Sequence, residues 1–266
     1  RSEGLDVAAD QYPYTASATS LSSVLPGWVH AGGREAALAR LRDPALRAGI
    51  EAEIEAREGE MQGWDEIYIA AVSTDQNRPL VGRFLTGVAR ERGLSPAATV
   101  VSLLLEERMC ADMIRFSISE DDVRRVMKSP FVMVGSDGTA LAPYGPLGRD
   151  RAHPRSYGTF PRVLGRYAFR ERVLRPEEAV RKMTSLPASR LGLSGRGLVR
   201  KGYAADLVLF DPGTILDTAT FEQPASYPQG IEYVIVNGQV TVARGTHLGV
   251  RNGRVLRHSA RSGRAT

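Results

Sequence analysis

The sequence has a single cysteine, Cys110, so no disulfide can form within the chain. That suits a reducing compartment, and the cytoplasm is the expected location. No run of 18 apolar residues occurs, so no membrane-spanning helix is expected. The opening residues, Arg1-Ser2-Glu3-Gly4, hold nothing like the apolar core of a secretory signal. Low-complexity tracts are absent, and only the polar, basic tail at 259–266 is expected to be flexible. No Gly-x-Ser-x-Gly, phosphate loop or dinucleotide fingerprint is found. The histidines, His30, His153, His247 and His258, form no His-x-His, and neither they nor Cys110 have metal-ligand spacing. Strong charge of one sign is also lacking. The 35 Lys and Arg face 30 Asp and Glu, a net +5, with both signs interleaved as in Arg170-Glu171-Arg172. This is a solvated surface rather than a nucleic-acid face.

What is present is an ordinary globular composition, 42% hydrophobic and 24% charged over 266 residues, enough for a sizeable core. Residues 4–10 (GLDVAAD) read as a short buried strand, stopped at Pro13. From Thr15 to about Asp112 the texture is mostly helical. Helices are expected at 34–42, at 45–58 after Pro44, at 80–92 ending on Gly93, and at 97–107 behind a Ser95 cap and Pro96. Residues 66–72 form one strand within that stretch. Ser119 caps a helix at 119–127, with Asp121 and Asp122 in its first turn. Residues 131–135 (FVMVG) are a continuous apolar strand, which suggests burial on both faces. An irregular stretch at 139–157 contains the loop His153-Pro154-Arg155, and helices follow at 160–169 and 175–184. Past Leu193 glycines punctuate a turn-rich link. Short strands are then expected at 205–210, 231–236, 239–243 and 254–256, with Asn237-Gly238 as a hairpin turn.

Asp137 is the sharpest chemical candidate. A carboxylate just past a buried apolar strand is costly to bury alone, and in a β/α barrel that position is the catalytic rim. Taken locally, it could equally be a turn aspartate. Asp10 is a weaker case of the same kind. Tyr12 and Tyr14 are packing residues or pocket walls. Arg155 is either a surface arginine or a two-toothed clamp for a carboxylate.

Six stretches carry a resemblance: GLDVAADQYPYTA at 4–16, VGSDG at 134–138, HPRSYGTFPRVLGRY at 153–167, KMTSLPASRLGL at 182–193, GYAADLVLFDP at 202–212 and IEYVIVNGQVTVARG at 231–245. In this order they resemble the C-terminal half of the N-acyl-D-amino-acid deacylases (D-aminoacylases) of the amidohydrolase superfamily. The fold implied is α/β: the C-terminal part of a (β/α)8, TIM-like barrel with a helical insertion, plus part of a small β-sandwich. Residues 1–200 would belong to the barrel, with 15–112 inserted, and 201–258 to the sandwich. Residues 4–10 and 131–135 would be the last two barrel strands.

The resemblance implies metal-dependent hydrolysis of N-acyl-D-amino acids, a linear amide cut to a D-amino acid and a carboxylate. Asp137 would move the proton, Arg155 would hold the substrate carboxylate, and one of Tyr12 and Tyr14 would contact the substrate. Ser136 is placed with these binding residues. The cofactor implied is zinc, but the family's His-x-His, cysteine and further histidine ligands precede the first stretch and are absent here, leaving Asp137 as the possible ligand in this chain. The partner expected is therefore the missing N-terminal half of the barrel, together with the small-molecule substrate, and neither nucleic acid nor membrane. Two other readings stand beside this one. The chain could be an inactive fragment or binding module without metal, or a hydantoinase-like amidase of the same superfamily.

Overall fold

The computed structural model describes residues 2–57, 63–148 and 150–257; the tail at 259–266 and His258 lie outside them. Its elements run β1 (Ala9–Gln11), β2 (Ser17–Ser20), α1 (Gly33–Arg42), α2 (Pro44–Ala56), β3 (Ile67–Ala71), α3 (Leu85–Arg92), α4 (Pro96–Glu106), β4 (Asp112–Arg115), α5 (Glu120–Lys128) and β5 (Val132–Val134). There follow α6 (Arg155–Arg162), α7 (Pro176–Met183), α8 (Ser185–Arg190), β6 (Leu207–Phe210), β7 (Ile231–Val236), β8 (Gln239–Ala243) and β9 (Thr246–His247).

The strands form three sheets. β1 and β5 pair in parallel, Ala9 beside Val132 and Gln11 beside Val134. Their carboxyl ends therefore point the same way and deliver Tyr12 and Asp137 to one edge. β2, β4 and β3 form an antiparallel sheet in that order. It packs with α1–α4 around a core including Leu41, Ile54, Ile69, Val101 and Leu104. β6 to β9 make an antiparallel sheet in sequence order. Its β7–β8 turn is Asn237-Gly238, both at positive φ (48° and 81°), the geometry that matches strand twist.

The Ser119 and Ser95 caps follow the sequence, and Asp43 adds a third. The Ser119 hydroxyl accepts from the Asp122 N–H at 3.0 Å, and Glu120, Asp121 and Asp122 occupy the positive end of α5. Asp43 caps α2 by accepting from Ala45 and Leu46 N–H. Ser95 accepts from Ala98 N–H at the start of α4.

Other expectations need correction. Residues 4–10 are not a buried strand. The strand is Ala9–Gln11, and Leu5 and Val7 stay 62% and 56% exposed. β5 is limited to Val132–Val134, with Phe131 exposed and Met133 half-buried, so it is not covered on both faces. The helix expected at 80–92 begins at Leu85. Gly82 and Arg83 instead bond to Ile69 beside β3, and Gly82 takes φ +92° under the Arg151 side chain. Residues 254–256 form no strand. Val255 is 84% exposed, and the chain before it is tied back through the Asn252 and Asn237 side chains. The stretch read as mostly helical also holds most of the antiparallel sheet, whose β2 and β4 carry no alternating apolar pattern.

One buried carboxylate organises the inserted region. Glu107, 1% exposed at the end of α4, accepts from the Ser73 and Thr74 backbone N–H, from both hydroxyls and from the Asn77 amide. Burial alone would raise its carboxyl, but the bonds from Thr74, Ser73 and Asn77 outweigh burial and bring it down to about 2. Its stabilisation is therefore complete above the unfolded value of 4.5 and is lost as pH falls toward about 2. Glu107→Gln should cost about 2 kcal/mol at neutral pH and flatten the acid limb of stability. Urea titrations at pH 7 and pH 3 check this; an unchanged acid limb contradicts it.

Candidate active site

The site forms where the parallel pair ends. After β5 the chain turns through Gly135, Ser136, Asp137 and Gly138, with Asp137 at φ +46°, a left-handed position aspartate tolerates better than most residues. The Ser136 hydroxyl accepts from Gly138 N–H at 3.2 Å, which closes the turn. A Cβ on Gly138 would come within 2.9 Å of Ser156 Cα, so only glycine lets the start of α6 dock here. Thr139 N–H donates to the Ser156 hydroxyl at 3.2 Å and completes the junction.

That docking sets Arg155 against Asp137, Nη2 to Oδ2 at 2.7 Å. The arginine side chain is 9% exposed and the aspartate 68%. Arg155 Nη2 also donates to the Ala18 carbonyl of β2 at 3.4 Å, and its guanidinium lies 4.7 Å above the Tyr12 ring. The expected loop at 153–155 is thus corrected: Arg155 is the first residue of a helix. That helix continues through Pro161 into a π-helical stretch, Val163–Arg170.

Asp137 borders two cavities. One, of about 470 Å³, is lined by Asp10, Gln11, Tyr12, Tyr14, Ile118, Gly135 and Asp137. The other, of about 350 Å³, lies between β2, β4, Leu141, Leu147 and Arg151, and takes in Arg155 and His153. The pair therefore stands at the wall between two clefts.

Of the residues singled out in the sequence, Asp137, Arg155, Tyr12 and Tyr14 converge. Tyr12 is half-buried beneath Arg155. Tyr14 is 2% exposed, its hydroxyl donates to the Pro154 carbonyl at 3.5 Å, and Arg162 sits 4.8 Å above its ring. Burial, then the Asp217 charge, pushes the Tyr14 hydroxyl well above the usual phenol range, so it stays protonated. Ser136 faces its own turn and lines neither cavity.

Two features are not visible locally in the sequence. Arg162 donates to the Pro13 carbonyl and pairs with buried Asp217 at 2.9 Å, tying the YPY segment to the chain ahead of β7. Gly158 makes room for this, since a Cβ there would meet the Tyr14 hydroxyl and Asp217. The second feature is His153, 4% exposed among Tyr12, Tyr14 and Phe221. The contacts of Arg162 with Pro13 and Asp217, and of His153 with Tyr12, Tyr14 and Phe221, join residues far apart in sequence, which leaves no short-range signal.

The described residues do not by themselves fit a zinc ion. Among them no three His, Cys, Asp or Glu side chains converge. His30 bonds to the Ser22 carbonyl, His247 accepts from Gly249 N–H, and Cys110 is exposed. No helix among the described residues is long and apolar enough to cross a membrane.

Comparisons with known proteins identify the family. A D-aminoacylase from Alcaligenes xylosoxydans xylosoxydans is 47% identical over 182 residues, which is 68% of this chain but 35% of that protein. The chain thus spans well under half the length of the curated relatives it matches. An N-acyl-D-glutamate deacylase from Bordetella bronchiseptica, solved with zinc and a phosphonate mimic of the tetrahedral intermediate, superposes with a TM-score of 0.67 at 32% identity, over 90% of this chain and 40% of that one. A D-aminoacylase variant solved with copper gives a TM-score of 0.72 at 35% identity, over 97% and 44%. The amidohydrolase family profile covers residues 2–242, nearly the whole of what folds around Asp137 and Arg155; the chain belongs to the amidohydrolase family.

Proposed function

We propose that this chain contributes the acid/base carboxylate and the carboxylate-binding arginine to an enzyme that hydrolyses N-acyl-D-amino acids. The observation that carries this reading is the 2.7 Å contact of Asp137 with Arg155 at the wall between two cavities, beyond the carboxyl end of β5. Its relatives' names supply the substrate class: D-aminoacylase and N-acyl-D-aspartate and N-acyl-D-glutamate deacylases.

Each residue has a physical role in this scheme. The substrate carboxylate takes the Arg155 guanidinium, which Tyr12 supports from below and the Ala18 carbonyl steadies from the side. Binding therefore displaces Asp137 from its partner. The freed carboxylate accepts a proton from the attacking water and returns it to the departing amine nitrogen. Tyr14, its hydroxyl committed to Pro154, is a wall of the pocket rather than a proton donor. Tyr12 is the tyrosine of the pair that borders the substrate.

A divalent metal, as in the zinc- and copper-bound neighbours, would polarise the scissile carbonyl. Its ligands would lie outside the described residues, on the partner half of the barrel. β1 and β5 would be two strands of that barrel, and β6–β9 part of the adjoining sandwich. The 68% exposure of Asp137 supports this, because proton transfer to an amine needs a more enclosed site.

The test is an assay of N-acetyl-D-amino acid hydrolysis with zinc added. The 266 residues alone should bind no stoichiometric zinc and release no amino acid. Together with the polypeptide that brings the ligands, they should release the D-amino acid and leave the L-enantiomer intact. Robust turnover by the 266 residues alone would overturn the division of labour. No turnover in the complete assembly would overturn the activity.

A further inference from the structure

We infer that His153 is a positioning residue: its neutral ring ties the backbone of Arg155 to the segment carrying Tyr12 and Tyr14, and so fixes the guanidinium where a substrate carboxylate meets it. The inference rests on the reading of Arg155 as the carboxylate-binding residue.

The geometry assigns both ring nitrogens. Nδ1 lies 3.0 Å from the Arg155 backbone nitrogen and must accept its N–H. Nε2 lies 2.9 Å from the Ala16 carbonyl oxygen and must therefore donate. One neutral tautomer, protonated at Nε2, meets both demands. The first bond is a helix cap in kind. The residue flanking α6, Pro154, offers no side-chain acceptor, and His153 takes that task from one position earlier. The second bond crosses 137 residues of sequence and anchors the cap to the chain that leaves Tyr14 for β2.

The ring is held in plane as well. Tyr14 and Phe221 each meet it edge-on with centroids 5.1 Å away, and Tyr12 lies 5.8 Å off. Arg155 and Arg162 are the charges facing it, and Tyr12 and Tyr14 are the other ionisable groups against it. Burial, then these two cations, opposes protonation and holds its value down to about 4, so Nδ1 remains an acceptor at neutral pH.

Three variants separate positioning from packing. In His153→Asn the side-chain oxygen takes the place of Nδ1 and can accept from Arg155 N–H. In His153→Gln the amide reaches Ala16 but leaves that N–H bare. In His153→Phe the aromatic packing is kept and both bonds are lost. For the metal-loaded, active protein, KM for an N-acetyl-D-amino acid should rise least in His153→Asn, which keeps the bond to Arg155 N–H and loses only the one to Ala16. It should rise about five- to tenfold in the other two, with kcat changed less. His153→Phe matching wild type while His153→Asn fails would overturn the inference, since that is the order packing alone gives.

Nitrogen-15 NMR of the unaltered protein supplies a second arm that needs no variant to fold. It should show His153 protonated at Nε2 and bare at Nδ1 from pH 6 to 8; the opposite tautomer would overturn the inference. A protein that hydrolyses no N-acyl-D-amino acid would sink the functional reading instead, while the tautomer would still decide where His153 bonds.

Discussion

Asp137→Ala is expected to lower kcat for N-acetyl-D-amino acid hydrolysis by about 10²- to 10⁴-fold, the usual worth of a positioned acid/base group. KM should not rise with it. Asp137 holds Arg155 at 2.7 Å, so under the proposed reading a substrate carboxylate would compete with it. Removing the competitor leaves the guanidinium free. A large fall in kcat with KM unchanged or lower is thus the signature of this arrangement. Activity near the wild-type level would show that another group moves the proton. A KM effect alone would recast Asp137 as a binding residue.

Arg155 should give the opposite pattern. Arg155→Ala is expected to raise KM by about two powers of ten, in line with losing a charge-assisted, desolvated contact. Arg155→Lys should recover only part of this. A lysine offers no planar fork to a carboxylate and no flat face to the Tyr12 ring 4.7 Å below. Substrates whose carboxylate is replaced by a carboxamide separate recognition from general damage. Their kcat/KM should hardly distinguish wild type from Arg155→Ala. A uniform loss on both substrate types would mean that Arg155 supports the fold rather than binds the carboxylate.

Much of the frame was legible because local rules acted alone. Ser119 and Ser95 sit where their helices begin, since each side chain satisfies an N–H that the helix leaves bare. Asn237-Gly238 turns where both residues accept positive φ. The short apolar strand before Asp137 and the small glycine after it marked the turn, because a sharp turn at a strand end has few sequence solutions.

The rest depended on partners far along the chain. β2 is Ser17–Ser20, polar by composition, and becomes a strand only because β4 arrives beside it nearly a hundred residues later. Residues 4–8 looked like strand because they are apolar, yet they form no ladder in the described structure. Val255 shows the same failure at the other end. The pairing of Arg155 with Asp137 could be guessed from the two motifs, but not the bridge from His153 to Ala16, nor the tie from Arg162 to Asp217. A histidine beside an arginine carries no mark of the carbonyl it will meet.

A crystal structure of the assembled, metal-loaded protein with a phosphonate analogue of an N-acyl-D-amino acid tests the central claim most directly. The claim predicts the analogue's carboxylate on the Arg155 guanidinium. Asp137 should be released from that guanidinium and turned so that one carboxyl oxygen reaches the phosphonate oxygen standing for the attacking water. A ligand bound with Asp137 still paired to Arg155, and its carboxylate held elsewhere, would contradict it.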